Sequence, residues 1–207
     1  MNSIPALTFL RFILAMVILI FHFGKSIPIF SYTFFKNIIS CGNSAVSFFF
    51  ILSGFIMVIA NTDNRNETKK IVAKDYYKKR FARIYPLYFL SLILYLVFCN
   101  DYINNSSKLY SFLSSLFLIQ AWIPKFASDF NFPGWSLSVE VFFYLIFPFF
   151  INKIRSYATF KIAVFVTLFW LSNQVVNFLL VNNAHIKNLN FIYYFPLFHL
   201  PTFFLVF

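Results

Sequence analysis

The chain has 207 residues, 60% of them hydrophobic and 24% aromatic, with only 11% charged and a mean hydropathy of +0.76. That composition excludes a soluble globular domain, in which about half the residues are apolar and about a quarter charged. A formal net charge of +11 would suit a nucleic-acid binder, but the cations collect in a short stretch between apolar runs, the pattern of a cytoplasmic loop in a membrane protein.

The first apolar run, 4–24, is long enough for a transmembrane helix, since crossing a bilayer takes roughly 20 mostly apolar residues. Its opening, "MNSIPALTFLR", has no basic leader and puts Arg11 where the apolar part of a cleavable signal belongs, so the helix is expected to stay in the protein. Within it, "LRFILAMVILIFHF" carries Arg11 and His22. At about 100° per residue the two fall on one stripe, about 16.5 Å apart along the axis, too far to pair directly. Each therefore meets its own partner. Arg11 reads as an arginine snorkelling to the interface or as part of a buried site, and His22 as a neutral imidazole bonded within the bundle or as a proton acceptor.

Residues 25–43 form the expected outer loop. The second run, 44–60, contains "SFFFILSGFIM", whose Ser53 and Gly54 are small enough for close helix packing. Next comes the basic loop 61–83, "NTDNRNETKKIVAKDYYKKRFAR", with eight Lys or Arg against three acids. The positive-inside rule puts this loop, and with it the N-terminus, in the cytoplasm, where it can also bind anions. Arg80 and Arg83, at i and i+3, share a helix face beside Lys78 and Lys79 and could grip phosphates with paired N–H donors. The third span is expected over 84–99, with Pro86 in its first turn.

Beyond it lie a short run at 109–123, a run at 135–151 holding Glu140 and Pro148, an uninterrupted run at 158–181, and a run at 191–207 broken by Pro196 and Pro201. The whole reads as an all-α polytopic transmembrane helix bundle of about six to seven apolar segments, the interrupted ones lining a cavity rather than facing lipid. Strict alternation puts Lys153 and Arg155 outside, the charge rule inside; a re-entrant 109–123 or a Pro-Gly break before Trp135 would reconcile them. Glu140, in "PGWSLSVEVFFYLIFPFF", needs a cation, a hydrogen-bonding partner or water, or must stay protonated. It is either half of a structural ion pair or a functional carboxylate. Ser136 is placed to cap that helix.

Cys41 and Cys99 are too few for a disulfide scaffold, although both fall near the outer face, where a bridge can form. His185 and His199 show no partner pattern. No zinc-like spacing, phosphate-cradling glycine loop or nucleophile elbow occurs, so neither a metal site nor nucleotide hydrolysis is expected. The chain stops inside the apolar "FPLFHLPTFFLVF", as if the natural protein continued beyond Phe207 and the bundle were truncated here.

In order along the chain, "LRFILAMVILIFHF", "FFFILSGFIM", "RFARIYPLYFL" and "WSLSVEVFFYLIFP" resemble acyltransferase family 3, the membrane-bound bacterial O-acyltransferases that modify surface polysaccharides and related glycans. The resemblance covers the N-terminal part of that domain and weakens from residue 191. Family members often carry a second acid where this chain has Val141. It implies that 1–207 is an integral membrane acyltransferase domain in the inner (cytoplasmic) membrane. Its activity would move an acyl group, most often acetyl, from cytoplasmic acyl-coenzyme A to a sugar hydroxyl on the outer side. The donor would be a substrate rather than a bound cofactor, and the partners would be the saccharide and the bilayer, not nucleic acid. By the same resemblance His22, Arg11 and Glu140 are catalytic, with His22 a general base or a transient acyl carrier. Arg80 and Arg83 hold acyl-coenzyme A, and Ser53, Gly54, Trp135 and Ser136 pack near the site. The competing reading is a proton- or substrate-coupled transporter using the same intramembrane Arg, His and Glu.

Overall fold

The computed structural model describes residues 5–24, 27–28, 37, 41–61, 71–99, 106–154, 159–182 and 189–206. Most of the outer loop 25–43, residues 62–70 of the basic loop, the Lys153 side chain, Arg155 and His185 lie outside the described residues.

The described residues build helices and no strand: α1 (Pro5–Phe23), α2 (Gly42–Ala60), α3 (Ala73–Phe98), α4 (Ser106–Leu116), α5 (Gly134–Ile154), α6 (Thr159–Asn182), α7 (Asn190–Tyr194) and α8 (Pro196–Phe204). Four of these, α1, α3, α5 and α6, are long and apolar enough to cross a membrane, while α2 is apolar over Ser44–Ala60, just short of that length. The bundle is thus all-α and polytopic, as expected. Such helices satisfy every backbone N–H and C=O within the segment, which lipid cannot do for them.

Three boundaries differ from the sequence reading. The third span starts at Ala73 rather than Ile84, so the latter half of the basic stretch is helix and not loop. The stretch "AKDYYKKRFAR" has no Gly or Pro and is rich in Ala, Lys and Arg, all good helix formers, and Asp75 in the first turn complements the positive end of the helix dipole. Pro86 consequently sits in the helix interior, where it removes one intrahelical hydrogen bond. The run at 109–123 is no span: α4 ends at Leu116, a single 3₁₀ turn follows at Gln120–Trp122, and turns continue to Pro133. Leu118 and Asn131 reverse this stretch with φ of 55° and 53°, unusual for leucine and tolerable for asparagine. The last run breaks at Phe195, as Pro196 predicts, and Pro196 then starts α8 at a position where its missing N–H costs nothing; Pro201, expected to interrupt the run as well, instead lies inside α8.

Helix α5 is the centre of the bundle. Of its apolar window 44% is buried, against at most 11% in the other three long helices. Its Val139, Phe143 and Phe147 are fully buried among Met57 and Phe50 of α2, Tyr76 of α3 and Phe203 of α8. The Phe143 and Phe203 rings stack at 4.4 Å. The outer apolar side chains of α1 and α6, such as Phe12, Phe165 and Phe178, are exposed, which suits contact with lipid tails.

Small residues set the helix spacing. A Cβ on Gly54 would lie 2.8 Å from the Phe203 carbonyl oxygen, so α2 and α8 approach backbone to backbone there, as the small-residue pattern predicts. Cys41 and Cys99 are both free and exposed, so the bridge that their placement allows is not made.

Candidate functional site

Glu140 lies in the second turn of α5, half-buried, and its carboxylate is held by two hydroxyls. Ser53 Oγ, buried on α2, donates to Oε1 at 2.8 Å, and Tyr144 Oη, one turn further along α5, donates to the same oxygen at 2.6 Å. Donation to a carboxylate is among the stronger hydrogen bonds, and two donors offset much of the penalty for removing the charge from water. Ser53 and Gly54 therefore have distinct jobs on adjacent residues: one packs α2 on α8 and the other bonds across to α5.

Two cavities lie on either side of this contact. The first, about 700 Å³, is lined by His22 on α1, Phe50 on α2, Trp135, Ser136 and Glu140 at the start of α5, and Tyr194 on α7, among others. The second, about 550 Å³, is lined by Ile56 and Ala60 on α2 together with Tyr76, Lys79, Arg80 and Arg83 on α3. From Val46, which also lines the first cavity, to Ala60 along α2 is about 21 Å, so the cavities lie toward opposite ends of that helix. Ser53 and Glu140 stand between them.

His22 lies in the first cavity with its ring edge-on to Phe132 at 5.1 Å and to Phe21 at 5.0 Å. Arg11, half-buried lower on α1, is within electrostatic reach of Glu140, Tyr144, Arg80 and Arg83. Its Nε is buried and has no hydrogen-bond partner among the described residues, an arrangement that costs about 1–3 kcal/mol unless something else accepts the bond. Arg80 is half-buried, its guanidinium 5.4 Å from the centre of the Tyr76 ring and 5.2 Å from that of Tyr144, a favourable cation–π placement. Arg83 is exposed at the mouth of the same cavity.

The structure thus gathers Arg11, Glu140, Arg80 and Arg83 on one side, puts His22, Trp135, Ser136 and Glu140 around the first cavity, and links the two groups through Glu140. One sequence expectation is corrected. Ser136 is not a helix cap: it lies inside the first turn, and its Oγ donates to the Pro133 carbonyl at 2.9 Å, because α5 begins two residues earlier at Gly134. Of the alternatives open for Glu140, the hydrogen-bonding partner is the one present, in the Ser53 and Tyr144 hydroxyls.

Three participants were missed. Tyr144 was legible as i+4 to Glu140, a spacing that puts both on one helix face. His199 packs its ring 5.5 Å from Trp135 and 5.2 Å from Phe50, with Nε2 2.9 Å from the Tyr193 carbonyl oxygen; no local signal announces it. Tyr194 meets Trp135 edge-on at 5.2 Å, through the same long-range fold.

The family model described as an acyltransferase domain matches residues 4–207. The chain is 31% identical over 162 residues to the acyltransferase MdmB of Streptomyces mycarofaciens, a match covering 73% of this chain and 40% of that protein. The chain thus spans well under half the length of this curated relative. No solved structure matches.

Proposed function

Because the chain belongs to acyltransferase family 3, we propose that it serves a membrane-bound O-acyltransferase that carries an acyl group, in the first instance acetyl, from acyl-coenzyme A to a hydroxyl of a surface glycan or exopolysaccharide precursor. The observation that carries this reading is the Ser53–Glu140–Tyr144 contact, which joins a basic cavity toward one end of α2 to a cavity toward the other that is lined by His22 and Glu140, with no Lys or Arg among its described residues. A polyanionic donor and an uncharged acceptor need chambers of that kind.

Lys79, Arg80 and Arg83 suit the phosphates of the donor. In this reading their end of the bundle, with the N-terminus of α1, faces the cytoplasm and the protein sits in the inner membrane. The pantetheine arm extends along the Arg11–His22 stripe, and the buried, unpartnered Arg11 Nε supplies a hydrogen bond to an oxygen of that arm or of the thioester.

At the far end His22 takes the proton of the acceptor hydroxyl as its oxygen attacks the thioester carbonyl. A C–O bond forms, the C–S bond breaks, and the proton passes from His22 to the departing thiolate. Alternatively the imidazole takes the acyl group first and yields it to the hydroxyl in a second step. Glu140 orients these groups and balances the charge of Arg11. The family match favours acyl transfer over coupled transport.

His22→Ala in the full-length protein is expected to lower acyl incorporation into glycan by about 10²–10⁴-fold, the usual worth of a general base. Normal incorporation by a well-expressed variant would sink the proposal. Labelled acyl-protein, trapped with donor alone and lost in His22→Ala, would select the two-step route.

A further inference from the structure

Helix α3 is longer than a bilayer core needs. Its 26 residues reach roughly 39 Å at 1.5 Å per residue, whereas the hydrocarbon core is about 30 Å thick. Asn100 and Asp101 come directly after α3 in the sequence, so the excess lies at its start. Counted back from Phe98, about 20 residues fill the core, and residues 73–78 reach the headgroup layer.

Around the helix axis the cations of this start divide into two faces. At about 100° per residue, Lys74, Lys78, Phe81 and Tyr85 lie within about 60° of one another, with Lys79, Arg80 and Arg83 at least about 100° from any of them. The second set lines the basic cavity, and so does Asp75, which falls between the two. The first set points elsewhere, with Lys74, Lys78 and Phe81 all exposed.

Helix α4 covers only the far half of that first face. Tyr85 Oη donates at 3.1 Å to the carbonyl of Leu116, the last residue of α4, and Tyr88 Oη donates at 2.8 Å to the Ser115 carbonyl. From there on Tyr88 and Leu92, which continue the stripe, are buried. The 11 residues of α4 span roughly 17 Å and so end near the middle of the core, as a ledge. Below the ledge Phe81 stacks on Tyr85 at 4.6 Å yet stays 59% exposed. Leu145 of α5, whose carbonyl accepts from Tyr77 Oη at 3.0 Å, stands alongside and is also exposed.

A soluble anion would find only two exposed lysines there, and exposed charges attract weakly in water. A phospholipid of the same leaflet matches both halves of the face at once. Its phosphate lies at the depth of Lys74 and Lys78, and its acyl chain runs beside Phe81 and Tyr85, about 10.5 Å further in from Lys78. From headgroup level to the ledge is about 15 Å, the depth of one leaflet's chains. A choline headgroup carries its own cation, so the lysines favour a lipid with net negative charge.

We propose that this face is a lipid site that takes one anionic phospholipid, its phosphate on Lys74 and Lys78 and an acyl chain along Phe81 beneath the end of α4. The lipid fixes the depth of α3, and with it the height at which Arg80 and Arg83 meet the basic cavity. The site lies outside the acyl-transfer machinery and holds whether or not that reading does.

The test titrates full-length protein in mild detergent with phosphatidylglycerol or with phosphatidylcholine of the same chains, and counts bound lipid by native mass spectrometry. We expect wild type to hold the first phosphatidylglycerol about thirtyfold more tightly than the first phosphatidylcholine, the preference that two lysines beside an anionic headgroup supply. In Lys74→Gln/Lys78→Gln that preference should fall to about threefold or less, and in Lys79→Gln, on the cavity face, it should persist. Phe81→Ala should weaken both lipids alike, and millimolar inorganic phosphate should displace neither. Lys74, Lys78 and Phe81 are exposed, where substitutions seldom disturb folding. A wild type without the preference, a double variant that keeps it, or a Lys79→Gln variant that loses it equally would overturn the site. So would displacement of phosphatidylglycerol by phosphate alone, or a Phe81→Ala variant that binds both lipids as wild type does.

Discussion

A carboxylate at the centre of a lipid-facing helix costs about 2.5–3.5 kcal/mol by insertion measurements. Glu140 avoids that by turning inward to two hydroxyls, Ser53 at 2.8 Å and Tyr144 at 2.6 Å. Bonds to a charged group contribute about 1.5–3 kcal/mol each. Ser53→Ala and Tyr144→Phe are therefore each expected to lower kcat by roughly tenfold or more, with little change in donor affinity, because neither residue lines the basic cavity. Their combined effect should fall short of the product of the two, since both act through one oxygen. Initial rates of acyl transfer for the two single variants and the double variant would check this; two wild-type rates would show that the carboxylate needs neither donor. The i,i+4 spacing of Glu140 and Tyr144 was legible in the chain, whereas Ser53, 87 residues distant, was legible only as a small packing residue.

At the level of elements, spacing and continuity decide what a substitution does. Replacing a helical glycine by alanine ordinarily gains about 1 kcal/mol of helix propensity. At Gly54 the sign should reverse, because the new Cβ meets the backbone carbonyl of Phe203 at 2.8 Å, and a backbone cannot step aside as a side-chain tip can. Gly54→Ala is expected to lower the melting temperature in detergent, and Gly54→Leu to lower it further, overpacking costing about 1–3 kcal/mol. A rise for Gly54→Ala would mean that α2 and α8 have room to part. The early start of α3 gives a second expectation. Lys78→Pro puts a proline inside that helix, at about 3 kcal/mol, and should weaken acetyl-coenzyme A binding by displacing Arg80 and Arg83. In a loop the same change would be harmless.

Over the whole molecule the polar groups separate into two ends. The α2 end and the α3 start surround the basic cavity; the α1 end, the α2 start, the α5 start and the α7 aromatics surround the His22 cavity. Cys41 and Cys99, exposed and free, stand at the start of α2 and the end of α3, on the side of the His22 cavity. With the proposed cytoplasmic N-terminus, a membrane-impermeant maleimide added to intact cells should label both, and should label Lys79→Cys in a cysteine-free background only after permeabilisation. The reverse pattern would invert the topology. Donor binding should also weaken as salt rises, since exposed Arg83 is screened within about 8–10 Å at physiological ionic strength, and binding that ignored salt would argue against phosphate contacts there.

Composition and helical periodicity were enough to determine an all-helical membrane bundle, the common stripe of Arg11 and His22, and the basic stretch ahead of Ile84, because each depends on residues within a few turns of one another. Only the tertiary structure decided that α3 begins at Ala73, that Ser53 and not an arginine holds Glu140, and that Trp135 is met by Tyr194 and His199. Those outcomes turn on which helix faces approach which. In a bundle where nearly every face is apolar, hydropathy does not tell a lipid-facing side from a core-facing one. The choice falls instead to close packing at residues such as Gly54 and to the need of each buried polar group for a partner.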